Sequence, residues 1–180
     1  FKAKDLDTAL AGMAESDEDY QYSVAWLDGL ARGGKLGRSI LMRGNHATLA
    51  QLPPERRDKP YTIPARRSKP VPIDFPGFVL NPLSVKAFNT FFYAYHRSQS
   101  GVLEDYDSFF YPLDGIHQWN RMYGKAGFVQ YQATLPPSGV PGVVALLEKL
   151  SASRRASFLA VLKCFGAGNP GLLSHPMKGY

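Results

Sequence analysis

Cysteine is almost missing from this chain. Cys164 is the one thiol among 180 residues, which excludes an internal disulfide and any metal site built from several cysteines. Histidine is scarce too. His46, His96, His117 and His175 lie far apart and form no pair at ligand spacing, so a zinc site has no support. No apolar run approaches the roughly 20 residues that span a bilayer, and no signal-peptide succession opens the chain. Ser23, Ser39, Ser157 and Ser174 lack the Gly-x-Ser-x-Gly elbow of a hydrolase. Gly166-Ala-Gly168 is a lone glycine turn, and no helix clearly follows it to make a dinucleotide fingerprint. What remains is 44% hydrophobic and 20% charged, enough for one packed domain. The chain starts at Phe1 and stops at Tyr180, and is expected to be a piece of something longer, truncated at both ends.

The net charge of +6 is unevenly spread. Residues 1–19 hold six carboxylates against Lys2 and Lys4. Residues 32–69 hold Arg32, Lys35, Arg38, Arg43, Arg56, Arg57, Lys59, Arg66, Arg67 and Lys69 against Glu55 and Asp58, an excess larger than that of the whole chain. Such a cluster attracts phosphate, whether on lipid, nucleic acid or a small molecule. A solvated basic loop has the same composition. The aromatic-glycine motifs of sheet-type RNA readers are missing, which disfavours nucleic acid.

Apolar periodicity predicts a helix over 5–15, through Leu6, Leu10 and Met13. Residues 20–30 and 36–42 read as two strands of a hairpin turned at Gly33-Gly34. Residues 46–77 carry seven prolines with arginine pairs between them, and are expected to form a Pro/Arg-rich loop. A helix is predicted over 83–96, with Ser84 as its N-cap and Val85, Phe88, Phe92 and Tyr95 on one face. Then follow a short strand over 107–113, a helical turn ending at Gly124, a strand over 127–135, an amphipathic helix over 140–151 and a strand over 157–165. The last three elements read as strand, helix, strand with a parallel crossover. The fold class is α+β, a mostly antiparallel sheet with helices packed on one face.

Strand alternation selects a candidate site. Phe158, Ala160, Leu162 and Cys164 share one face of the last strand, and Leu159, Val161, Lys163 and Phe165 share the other. Val129 and Tyr131 are expected beneath the 140–151 helix together with the Phe158 set. Gln130 and Gln132 then join Lys163 and Phe165 on the opposite face. A cation, two amides and an aromatic wall can hold a negatively charged or hydroxylated ligand. An ordinary solvated sheet face, with Lys163 paired to a carboxylate, would show the same spacing.

Seven runs carry a resemblance in order and with similar spacing. They are Tyr22-Ser-Val-Ala-Trp-Leu-Asp28, Lys35-Leu-Gly-Arg38, Arg43-Gly44, Phe110-Tyr-Pro-Leu-Asp114, Trp119-Asn-Arg121, Tyr123-Gly-Lys-Ala-Gly-Phe-Val-Gln-Tyr-Gln132 and Phe158-Leu-Ala-Val-Leu-Lys-Cys-Phe-Gly166. With these, the chain resembles the FAD-linked oxidases of the vanillyl-alcohol-oxidase superfamily, in the branch acting on aldonolactones, alditols and polyprenylphosphoryl pentoses. The resemblance is weakest over about 51–90. It implies that residues 1–180 are the substrate-binding (cap) domain of a two-domain bacterial flavoenzyme of cell-wall sugar oxidation. By the same resemblance the flavin-binding domain is expected to lie outside this chain.

The resemblance implies FAD as cofactor, held mainly by that other domain, and oxidation of a secondary alcohol by hydride transfer to flavin. It assigns Lys163 a catalytic role, polarising sugar hydroxyls or the phosphate side of the substrate. It assigns Gln130, Gln132, Leu159, Val161, Phe165 and Tyr111 to substrate binding, Tyr111 by resemblance alone. The family's asparagine-and-cysteine strand and its second lysine would follow Tyr180, so the chain alone is expected to be inactive. The expected partners are the rest of the same polypeptide and a sugar or lipid-linked sugar. The expected location is cytoplasmic or peripheral at the inner membrane, with the Pro/Arg-rich segment as the membrane-facing loop. The competing expectation is a non-enzymatic basic module for anionic lipid or nucleic acid.

Overall fold

The computed structural model describes residues 1–64, 68–155, 158–173 and 177–180. Arg66, Arg67, Ser157, Ser174 and His175, singled out above, lie outside the described residues. The elements in chain order are β1 (Lys2–Ala3), α1 (Leu6–Ser16), β2 (Tyr22–Leu27), β3 (Ser39–Gly44), α2 (Pro54–Arg57), β4 (Lys69–Pro70), α3 (Pro82–Tyr95), α4 (Tyr106–Phe110), β5 (Ile116–His117), α5 (Val140–Ser153) and β6 (Val161–Lys163). They fall into two compact units. The larger is Phe1–Asn45 with Asn81–Ser98 and Tyr131–Tyr180, and the smaller is His46–Leu80 with Gln99–Gln130.

The larger unit is α+β. Its sheet has the order β1-β3-β2-β6, with every pairing antiparallel. The expected hairpin is present, with Val24 opposite Met42 and Trp26 opposite Ile40. One sheet face packs Ala25, Leu27, Leu41 and Leu162 against Leu6 and Met13 of α1 and Val143 and Leu147 of α5. Removing these side chains from water drives the packing, at about 25 cal/mol per Å² of apolar surface. Asp5 begins α1 by accepting the Thr8 amide at 2.8 Å. Arg32 donates through Nε at 3.0 Å to the Ser151 carbonyl in the last turn of α5, where a cation is favoured. At Gly37, with φ +69, a Cβ would sit 2.5 Å from that of Leu6, so the turn into β3 requires glycine.

Helix α3 lies on the opposite sheet face, where the Phe92 ring meets Trp26 at 4.7 Å. Its N-cap is Asn81, which accepts from the Leu83 and Ser84 amides at 2.8 and 3.1 Å. Ser84, expected as the cap, is the third helical residue, and its hydroxyl oxygen accepts from the Asn81 amide at 3.0 Å. Pro82 explains the shift: its fixed φ suits the first helical position, leaving the cap to the residue before it. The inward stripe is Val85, Asn89 and Phe92, whereas Phe88 and Tyr95, expected there, are exposed.

The second half of the chain brings three corrections. Residues 127–135 form no strand, and Val129 and Tyr131, expected under α5, are 98% and 76% exposed. Their alternation suits a pleated surface, but a strand exists only where a neighbour completes its ladder. Among the described residues only Leu135 finds such a pairing, exchanging two backbone bonds with Tyr180 at 2.8 and 2.9 Å. The strand–helix–strand crossover therefore does not form, and β6 runs antiparallel to β2.

In the smaller unit, the strand expected over 107–113 is helical, with α4 followed by a 3-10 turn at Pro112–Gly115. Asp107 in the first turn favours the helix N-terminus, and Pro112 withholds the donor a longer α-helix would need. The Pro/Arg-rich stretch is not wholly irregular. It contains the single turn α2, with Pro54 at its start, and β4, which pairs in parallel with β5.

Candidate substrate face

The sheet face away from α1 and α5 collects the even-numbered side chains of β2 and β3. Register places Val24 opposite Lys163 and Trp26 opposite Val161. Tyr22, Val24, Trp26, Ile40, Met42, Val161 and Lys163 thus share one face. Helix α3 covers the end that holds Trp26, whose indole N–H donates to the Phe158 carbonyl at 2.9 Å. Away from the helix the face is open: Met42, Val161, Lys163 and Leu159 are exposed and Val24 is half-buried. Phe165 is half-buried beyond β6, where it bridges Gly179.

Lys163 stands on this open floor, and no carboxylate among the described residues forms an ion pair with it. An ammonium on an apolar floor presents three donors to hydroxyl, phosphate or carboxylate oxygens. The apolar surroundings accept the C–H face of a ring. Leu159, Val161 and Lys163 fall on the side opposite the buried Leu162, the alternation expected from sequence.

The remaining site candidates, Gln130, Gln132 and Tyr111, do not lie on strands of this sheet. Gln130 and Gln132 are exposed on the irregular 127–135 stretch, with Gln130 in the smaller unit. Tyr111 lies in the smaller unit, half exposed, its ring 5.8 Å from that of Tyr106. Val24 is the residue the register sets opposite Lys163, and sequence reasoning did not place it there, because this follows only once β6 is known to pair with β2.

A buried polar cluster fixes α3 at the covered end. Asp28 accepts from Arg38 Nε at 2.8 Å, Asn89 Nδ2 at 2.7 Å and the Leu30 amide at 3.1 Å. Tyr93, also on α3, donates to the Ala3 carbonyl at 3.1 Å. Burial pushes its phenol above the ordinary value, against the opposing pull of the Arg38 guanidinium over its ring.

The basic residues of 32–69 are largely engaged. Arg38 pairs with Asp28 at 2.6 Å and Arg56 with Asp105 at 2.6 Å. Arg43 donates to the Gly12 carbonyl at 3.1 Å, and Arg57 to the Leu52 and Ala50 carbonyls at 2.9 and 3.1 Å.

A dinucleotide's diphosphate finds no fit in the cavity lined by Asp5, Leu6, Asp7, Gly33, Gly34, Leu36 and Val144, because its ionisable groups are two carboxylates. Among the described residues no three histidine, cysteine or carboxylate side chains gather as metal ligands. No helix among them is long and apolar enough to cross a membrane.

Comparison with known proteins now bears on this face. No family model matches the chain. Over 176 residues, 97% of the chain, it is 34% identical to the decaprenylphosphoryl-beta-D-ribose oxidase of Mycolicibacterium smegmatis. The chain is a relative of this oxidase. It spans 38% of the oxidase's length. It is also 28% identical, over 189 aligned residues and 99% of its length, to a Streptomyces coelicolor protein named for its position in the mprA 5' region, half of which it covers. The similarity to the oxidase takes in β2, β3 and β6 together, since it leaves only 3% of the chain unmatched.

Proposed function

We propose that this chain is the substrate-binding (cap) part of an FAD-dependent oxidoreductase acting on a secondary alcohol of a sugar, lactone or polyprenylphosphoryl pentose. The observation that carries the proposal is the 34% identity over 97% of the chain to an oxidase whose name specifies a polyprenylphosphoryl ribose. The Lys163 face supports it, because its chemistry suits a hydroxylated or phosphorylated ring. In this reading Lys163 is the catalytic residue of the chain. Its ammonium donates to the ring hydroxyl or phosphate oxygen and stabilises charge that develops on oxygen. Val161 and Leu159 shape the apolar floor, and Phe165 closes one end. Gln130, Gln132 and Tyr111 complete the contacts in the longer protein.

FAD would be held mainly by a flavin-binding domain elsewhere in the longer protein and would supply the hydride acceptor for the carbinol carbon, while Lys163 of this chain would bind the oxygen. The reading also places the longer protein in bacterial cell-wall sugar chemistry, with the Pro/Arg-rich segment meeting the membrane that carries the substrate. The basic-module alternative is not favoured, since Arg38, Arg43, Arg56 and Arg57 are spent on internal partners.

The experiment is anaerobic mixing of the natural-length polypeptide with an alditol, an aldonolactone and a short-chain polyprenylphosphoryl pentose. A yellow protein bleached by one of them supports the proposal. A colourless protein, or one whose flavin none of them reduces, contradicts it.

A further inference from the structure

Helix α3 has two unlike faces, and the outward one is apolar. Inward, Val85 and Asn89 are buried, and Asn89 is tied to Asp28 at 2.7 Å. Phe92 rests on Trp26, and Tyr93 is bonded to the Ala3 carbonyl. These anchors prevent the helix from rolling over to bury its other side. On that other side stand Leu83, Phe91 and Tyr95, which are 77%, 68% and 74% exposed, with Ala87 and Ala94 between them. The Phe91 and Tyr95 rings stack at 5.9 Å. A helix whose solvent side carries leucine and two stacked aromatics needs a partner for them.

Charge identifies the partner. Residues 82–95 contain no aspartate or glutamate, Lys86 is exposed beside the stripe and exposed Arg97 follows the helix end. At 14 residues the helix is roughly 21 Å long, far short of a span. Apolar and aromatic side chains on one side, flanking cations and no anion are the features of a helix lying in the plane of an anionic bilayer. Tyr95 suits the headgroup level, with its ring in the acyl boundary and its hydroxyl wet.

We propose that the outward face of α3 docks onto an anionic lipid surface, with Phe91, Tyr95 and Leu83 inserted and Lys86 and Arg97 at the headgroups. The proposal rests on α3 alone and needs neither flavin nor sugar, so it stands or falls apart from the oxidase reading.

The test is flotation of the natural-length protein that contains this chain with phosphatidylcholine vesicles, with and without phosphatidylglycerol. Binding is expected only with the anionic lipid and is expected to weaken as salt rises. The double change Phe91→Gln and Tyr95→Gln should reduce partitioning by about tenfold or more, and Lys86→Glu should reduce it further. These positions are exposed, so far-UV circular dichroism should be unchanged. A Phe91→Trp variant should shift its emission to the blue and be quenched by brominated acyl chains. The proposal is overturned if the protein does not float, or if binding survives at positions 91 and 95 but is lost with Lys59→Gln and Lys69→Gln. It is overturned equally if positions 91 and 95 hold together a dimer that ignores vesicles.

Discussion

Asp28 is 3% exposed and is surrounded by donors from Arg38, Asn89 and the Leu30 amide. Removing it strands a guanidinium that is itself mostly buried. Asp28→Ala should therefore cost about 3–5 kcal/mol of stability in urea unfolding, and Asp28→Asn visibly less. Asp5 offers a pH test at the same scale. The Thr8 hydroxyl, followed by the Thr8 amide, holds its carboxyl below the ordinary 3.8. A carboxyl depressed on folding adds stability that is complete above its unfolded value and is lost as pH falls through the folded one. Asp5→Asn should flatten the acid limb of a melting-temperature profile between about pH 5 and pH 2. An unchanged limb would remove the cap from the account.

Among the elements, α3 decides how much of the sheet face stays open. Asn89 is its inward anchor, and Asn89→Ala should cost about 1–3 kcal/mol by leaving Asp28 short of a donor. Phe92 would then loosen over Trp26, so the tryptophan emission should move to the red before global unfolding. Asn89 was not legible in the sequence, where a polar residue between Phe88 and Phe92 reads as solvent-facing. Only the place of Asp28 at the end of β2 shows why it faces inward. The hairpin was legible because Tyr22, Val24 and Trp26 alternate beside a glycine turn. The strand expected at 127–135 has an equally clean pattern, but a pattern reports only one side of a ladder. The partner of 127–135 is not among the described residues except at Leu135. Around α4, Phe109 and Phe110 suggested a strand, and the first-turn Asp107 and the stop at Pro112 outweighed them.

For the molecule as a whole, the charge reading changed most. The basic excess of 32–69 left a phosphate-binding surface and a solvated basic loop both open. Among the described residues Arg32, Arg38, Arg43, Arg56 and Arg57 work as internal ties, such as Arg32 at the end of α5 and Arg56 on Asp105. Spacing could not reveal these two, because each partner lies tens of residues away. The common side of Leu159, Val161 and Lys163 on the last strand was legible, because alternation within a single strand needs no tertiary knowledge. The irregular course that carries Gln130 and Gln132 was not, because alternation does not show whether a neighbouring strand is present.

The account turns on Lys163 as the group that meets the substrate's oxygen. The most direct measurement is anaerobic stopped-flow reduction of the flavin in the natural-length protein by a short-chain polyprenylphosphoryl pentose, comparing the native sequence with Lys163→Ala. The account predicts a rate lower by about a hundredfold or more, with the folded state intact because this side chain is exposed. A Lys163→Ala protein that reduces its flavin at the native rate would contradict it.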